Sequence, residues 1–179
     1  MLLKWAGGKS WLTKNKPEIF DIDRTLQFKN YLEPFLGGGA VFKFLQPNNK
    51  SILADINEDL ICFYNCLKDN PNELYKNTMA HIKKHSKTYY YDIRSNHNLK
   101  NKIERSSRFL YLNRTCYNGI YRVNSKGQFN VPIGDSKDFN ISEKEFMKYS
   151  KMLSKAEIKN EDFRISINKA KKNDLIFVD

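Results

Sequence analysis

A glycine turn and an aspartate, set apart at a particular spacing, give this chain the means to hold a nucleoside. In "NYLEPFLGGGAVFKFL" a short apolar segment with Tyr31 and Leu32 runs into Gly37, Gly38 and Gly39, then into a stretch with Val41, Phe42 and Leu45 on one helical side. "SILAD" follows and ends on Asp55, 16 to 18 residues beyond the glycines. Glycines at such a turn let backbone amides approach a ligand, and an acid at the end of the next strand accepts hydrogen bonds from ribose hydroxyls. "KWAGGK", residues 4–9, adds an aromatic face in Trp5, close backbone approach at Gly7 and Gly8, and a cation in Lys9 that can pair with a carboxylate. The bland alternative is a loop that needs positive φ and a tryptophan that only anchors a core.

The turn also says which nucleoside. Gly39 is followed by Ala40, Val41 and Phe42, so the third glycine of the dinucleotide pattern is missing and nothing here is specialised for pyrophosphate. A nicotinamide dinucleotide oxidoreductase is disfavoured on that ground. S-adenosylmethionine, with a ribose, no phosphate, a sulfonium cation and an amino acid tail, suits these residues better. A further acid, Asp179, closes the apolar run "NDLIFVD", which reads as a buried parallel strand.

The elements that must position these groups alternate strand and helix, with Asn57 as a helix cap ahead of Glu58 and Asp59. Residues 70–113 read as helices with basic outer faces. Then "GIYRVNSKGQFNVP" reads as a hairpin turning near residues 124–127, preceded by a polar loop with Arg114, Tyr117 and Asn118. Insertion into DNA calls for this set: arginines for guanine edges or phosphates, an aromatic ring and an amide to fill a gap in the base stack, and small apolar residues for a thymine methyl. An ordinary exposed hairpin is the competing reading.

Charge favours the polyanion. The 179 residues carry 31 Lys and Arg against 20 acids, a net of +11; residues 1–60 hold 8 basic and 7 acidic side chains, a net of +1, and residues 61–179 hold the other 23 and 13, a net of +10. No apolar stretch approaches a bilayer-spanning length and the first residues lack a signal-peptide pattern, so a soluble, cytoplasmic protein without membrane partners is expected. Cys62, Cys66 and Cys116 read as core cysteines, and His81 and His85 as part of a solvated basic helix face rather than a metal pair, no metal being expected.

The chain closely resembles the Dam-type DNA adenine N6-methyltransferases, GATC-class enzymes ordered as cofactor motif, target-recognition region and catalytic motif. The resemblance rests on "KWAGGK" (4–9), "EPFLGGGAVF" (33–42), "ADIN" (54–57), "FLYLNRTCYNGIYRVNSKGQFNVPIG" (109–134) and "FVD" (177–179), in family order along the whole chain. It implies transfer of a methyl group from S-adenosylmethionine to adenine N6 in double-stranded DNA, with the base flipped out of the duplex, in restriction-modification or DNA marking in a bacterial, archaeal or phage setting. It also implies that Asp179 opens an Asp-Pro-Pro-Tyr motif whose remainder lies outside these residues. The chain is then the amino-terminal portion of such an enzyme, inactive by itself and completed by a carboxy-terminal portion; the alternative is a catalytically inactive truncated remnant that binds DNA.

Carried over residue by residue, the resemblance implies a catalytic role for Asp179 and a cofactor site of Trp5, Lys9, Gly37, Gly39, Asp55 and Asp179, with Asp162 and Phe163 of "NEDF" flanking the cofactor adenine. It implies DNA contacts from Lys4, Arg114, Tyr117, Asn118, Ile120, Arg122 and Pro132. The chain departs from the GATC enzymes at Asp135, where they usually carry a basic residue. The expected fold is α/β, an incomplete Rossmann-like methyltransferase sheet with an inserted helical and β-hairpin DNA-recognition subdomain. Residues 1–60 and 151–179 would form the cofactor-binding catalytic domain and residues 61–150 the target-recognition subdomain.

Overall fold

The computed structural model describes residues 2–15, 28–135 and 141–179. An irregular segment leads into a short helix, α1 (Ser10–Asn15). The first strand, β1 (Tyr31–Glu33), is buried at every position, as an interior strand of a parallel sheet must be. It turns through the glycines into α2 (Ala40–Leu45), which buries Ala40, Val41 and Phe42, and the chain returns as β2 (Ser51–Asp55) parallel to β1 with Leu32 opposite Ile52. Asn57 caps α3 (Glu58–Asp69), its side-chain oxygen accepting from the Leu60 amide at 3.0 Å, while Glu58 and Asp59 complement the helix dipole. The βαβ opening and its cap stand where the sequence places them.

Three helices follow: α4 (Pro71–Lys83), with proline at its start where no amide partner is needed, α5 (Lys87–Ser95), capped by Ser86, and α6 (Lys102–Thr115), capped by Asn101. Helix α6 packs against α3, α4 and α5, and so buries Ser106 and Ser107 as well as Leu110 and Leu112. A 3-10 turn (Tyr117–Gly119) then opens the hairpin, in which Cys116 pairs with Ile133 and Val123 with Phe129. Its tip is the expected one: Asn124 accepts from the Lys126 and Gln128 amides at 2.9 and 3.0 Å, and Gly127 takes φ 73.

The chain re-enters the sheet through α7 (Glu143–Leu153), β3 (Ala156–Asn160), α8 (Phe163–Asn168) and β4 (Leu175–Ile176). The strands are parallel throughout, in the order β3-β2-β1-β4. This is the α/β Rossmann-like architecture the sequence predicts, with a helical and hairpin insertion between β2 and β3. The larger apolar cluster runs from Tyr31 and Leu53 in the sheet through Phe63 and Leu67 of α3 to Phe146 of α7. A smaller one, with Tyr90, Tyr111, Phe129 and Val131, lies under the hairpin. The positions 60/61 and 150/151 fall inside α3 and α7, and the larger cluster continues across both.

Two expectations are corrected. The run "NDLIFVD" is parallel but not buried: only Leu175 and Ile176 pair, beside β1 at an edge of the sheet, where a single neighbouring strand among the described residues leaves Ile176 and Val178 exposed. His81 and His85 do not lie on a purely solvated face: their Nδ1 atoms are 2.8 Å from the hydroxyls of Tyr89 and Tyr111, and burial holds both imidazoles below their usual pKa. Helices α5 and α6 bring those tyrosines over the basic face of α4. Among the described residues no helix is long and apolar enough to cross a membrane.

Candidate functional site

The glycine turn is built around one carboxylate. Gly37 takes φ 47 and Gly39 φ 63, left-handed values that side chains resist, and the Leu36 amide ties the turn to β2 through the Ala54 carbonyl at 2.9 Å. Asp55 then bonds both its oxygens to backbone: Oδ2 accepts from the Gly37 amide at 3.0 Å and Oδ1 from the Asn57 amide at 2.9 Å. A carboxylate has about four acceptor sites, so two hydroxyls can still be accommodated. Gly37 is required for a second reason, since a Cβ there would stand 2.9 Å from Cδ1 of Trp5. The Tyr64 hydroxyl donates to the Gly37 carbonyl at 3.1 Å from the far side.

Between this turn and residues 5–9 lies a cavity of about 400 Å³. That size falls within the ~300–1,000 Å³ usual for small-molecule sites. Trp5, Lys9, Gly39, Asp55 and Asp179 all line it. Lys9 Nζ pairs with Asp179 at 2.5 Å and donates to the Gly7 carbonyl at 2.9 Å, which places a cation and an anion together at one end. Gly37 sits behind Trp5 rather than on the lining. Phe163 reaches the site indirectly, stacking on the lining residue Phe35 with centroids 5.1 Å apart and planes at 28°. Asp162 is outside it: it caps α8 and grips Arg164, whose hydrogen bonds hold its carboxyl down at about 2.

Glu33, which sequence reasoning quoted but gave no role, also lines the cavity while only 2% exposed. Burial pushes its carboxyl up to about 8; the Tyr31 hydroxyl, donating at 2.8 Å, and the Phe42 amide pull it partly back, and the charge of Asp179 raises it further. The cavity therefore sets an acid that holds its proton well above the usual carboxylate range beside the Lys9–Asp179 pair. The signal was present as an acid closing an otherwise apolar strand just before the glycine turn.

The hairpin residues form a second group. Tyr117 (51% exposed), Asn118, Ile120, Arg122 and Pro132 are exposed together at its base, with Asn118 at φ 52. Arg122 is oriented by Asn130, whose Oδ1 accepts from Nε at 2.8 Å, and the Pro132 carbonyl accepts from the Tyr117 amide at 2.9 Å. Arg114 is placed differently, 7% exposed within the last turn of α6. Lys4 lies against Gly119, where a Cβ would meet its side chain. Residues Asn113 and Tyr121, not singled out from sequence, join the two groups by contacts with Lys4 and Trp5.

Comparison with known proteins identifies the family. A family described as "D12 class N6 adenine-specific DNA methyltransferase" matches residues 5–179. The chain is 36% identical over 184 residues to the Type II methyltransferase M1.LlaDCHI of Lactococcus lactis subsp. cremoris, covering 98% of this chain and 63% of that one. It is 38% identical over 182 residues to the Type II methyltransferase M.MjaIII of Methanocaldococcus jannaschii, with 91% and 62% covered. It is also 38% identical over 182 residues to the DNA adenine methylase of Haemophilus influenzae, with 99% and 62% covered. The chain thus spans a little over three-fifths of the length of these relatives. Matched to that family over residues 5–179, the chain belongs to the D12 class of N6 adenine-specific DNA methyltransferases.

Proposed function

We propose that this chain provides the cofactor-binding and target-recognition parts of an S-adenosylmethionine-dependent enzyme that methylates adenine N6 in duplex DNA, at GATC-like sites, in a bacterial, archaeal or phage-infected cytoplasm. The observation that carries the reading is the cavity in which Trp5, the glycine turn, Asp55 and the Lys9–Asp179 pair meet. Methyl-donor chemistry follows from the family; the choice of donor follows from the residues. Asp55 has acceptor capacity for ribose hydroxyls, Lys9 is a cation that can donate to the tail carboxylate, and the Phe35–Phe163 stack offers a flat apolar rim for an adenine ring. When bound, S-adenosylmethionine supplies a methyl group on an electrophilic sulfonium.

The protein's own groups then bind and orient. Asp179 accepts a hydrogen bond from the exocyclic amine of the target adenine and so fixes the direction of its nitrogen. Glu33, protonated and buried, lines the floor without adding a further negative charge. Residues 61–150 act as the recognition unit, with Arg122 reading a base edge, Tyr117 and Asn118 filling the space left by a flipped base, Ile120 and Pro132 making apolar contacts, and Lys4 on the DNA from the amino-terminal side. Arg114 supports this surface from beneath.

The test is methyl transfer by the full-length protein from labelled S-adenosylmethionine to a GATC-containing duplex and to a scrambled duplex, followed by digestion to nucleosides. N6-methyladenine from the first duplex supports the reading. Label on cytosine, or competition by NAD equal to that by S-adenosylmethionine, overturns it.

A further inference from the structure

The segment that walls the cavity is held by the residues that hold the hairpin. On one side the Trp5 indole covers Gly37, whose missing Cβ would stand 2.9 Å from it, and the Gly37 amide donates to Asp55 at 3.0 Å. On the other, Trp5 stacks on Tyr121, with centroids 5.7 Å apart and planes 24° from parallel. Tyr121 directly precedes Arg122, packs at 5.8 Å on Phe129 across the hairpin, and donates its hydroxyl to Asp59 at 2.8 Å in the first turn of α3.

Lys4, one position before the indole, is clamped by the fully buried Asn113. The Lys4 amide donates to Asn113 Oδ1 at 2.9 Å, and the Lys4 carbonyl accepts from Asn113 Nδ2 at 2.7 Å. The same Nδ2 donates to the Gly119 carbonyl at 3.2 Å, inside the turn that carries Tyr117 and Asn118. One side chain therefore satisfies the backbone of both the cavity wall and the recognition turn.

We propose that Tyr121 and Asn113 are positioning residues that couple DNA engagement to cofactor binding: a duplex that orders the hairpin fixes Lys4 and Trp5, and the indole in turn fixes the Gly37–Asp55 turn. The inference rests on the cofactor and DNA assignments proposed above. Gly37 has no side chain to absorb a displacement of the indole, so movement of Trp5 passes directly to the amide that Asp55 holds. Coupling of this kind is reciprocal, so the cofactor tightens DNA by the factor by which DNA tightens the cofactor. A packing role alone would weaken the two ligands independently.

Calorimetry on the full-length protein reads this as the ratio of S-adenosylmethionine dissociation constants without and with a saturating GATC-containing duplex. The ratio should be about fivefold or more in the wild type, within the usual range for coupled sites. Tyr121→Leu, which removes the stacked ring, should bring it close to one, whereas Tyr121→Phe, which keeps the ring, should retain it. Should Tyr121→Leu not fold, amide hydrogen exchange on the wild type decides: the duplex should slow exchange at Lys4 and Gly37 as well as in the hairpin. A wild-type ratio near one, an unchanged ratio in Tyr121→Leu, or hairpin protection with none at Lys4 and Gly37 overturns the coupling and leaves the two assignments standing. Failure of the wild type to bind either ligand overturns those assignments and the coupling together.

Discussion

Tyr31 donates its hydroxyl at 2.8 Å to the carboxyl of Glu33, two positions along the same strand and therefore on the same face of the sheet. Burial raises both groups, which favours a phenol and a carboxylic acid over an anion at this pair. The folded chain then binds a proton at Glu33 that the unfolded chain releases near pH 4.5. Below that pH both states carry the proton and the group costs nothing; between that pH and about 8 only the native state keeps it, so the stability tied to this group falls as pH rises through that window.

Glu33→Gln should accordingly flatten part of the pH dependence of stability. The wild type should lose up to about 1.4 kcal/mol per pH unit through this group between its unfolded and folded pKa values. His81, His85 and His97, all lowered, act in the opposite sense, so the informative quantity is wild type minus variant in urea unfolding across pH 5 to 9. A difference independent of pH would mean that Glu33 is ionised in the folded state.

Asp55→Ala removes the acceptor on which Gly37 and Asn57 converge. Loss of charge-assisted hydrogen bonds at about 1.5 to 3 kcal/mol predicts S-adenosylmethionine binding weaker by about ten- to 150-fold. Titration calorimetry checks it, and unchanged affinity would remove Asp55 from the site.

Gly37→Ala places a methyl group 2.9 Å from the Trp5 ring at a residue with φ 47. Overpacking and left-handed strain predict a loss of about 1 to 3 kcal/mol together with displacement of the indole. Thermal unfolding and tryptophan fluorescence, compared with a Trp11→Phe background that leaves only Trp5, report the two effects separately. An unaltered Trp5 emission would show that the turn can yield without moving the ring.

Arg122→Ala should relax discrimination at one base pair by about 1 to 3 kcal/mol, whereas Lys-to-Ala changes at Lys83 or Lys84 should weaken all duplexes alike and flatten the salt slope. Asn130→Ala, which frees the Arg122 guanidinium without removing it, should produce a smaller loss of the same kind. Equal weakening of cognate and scrambled duplexes by Arg122→Ala, measured at matched salt, would make it a phosphate contact.

The local pattern alone carried the βαβ opening, the Asn57 cap, the glycine turn with Asp55 and the hairpin tip at Asn124, because each depends on neighbours within a few residues: backbone conformation, capping and turn closure. Strand β3 escaped that reading because it lies at the sheet edge and alternates buried Ala156 and Ile158 with the ion-paired Glu157 and Lys159, a pattern diluted by its charges. The protonation of Glu33, the burial of Arg114, the tyrosine partners of His81 and His85, and the contacts of Trp5 with Tyr121 and of Lys4 with Asn113 were decided only by tertiary structure. Solvent exclusion and side-chain partnership are set by elements that meet across 109 positions of chain at Lys4 and Asn113 and across more at Trp5 and Tyr121, and no local spacing encodes which of them will close over a given group.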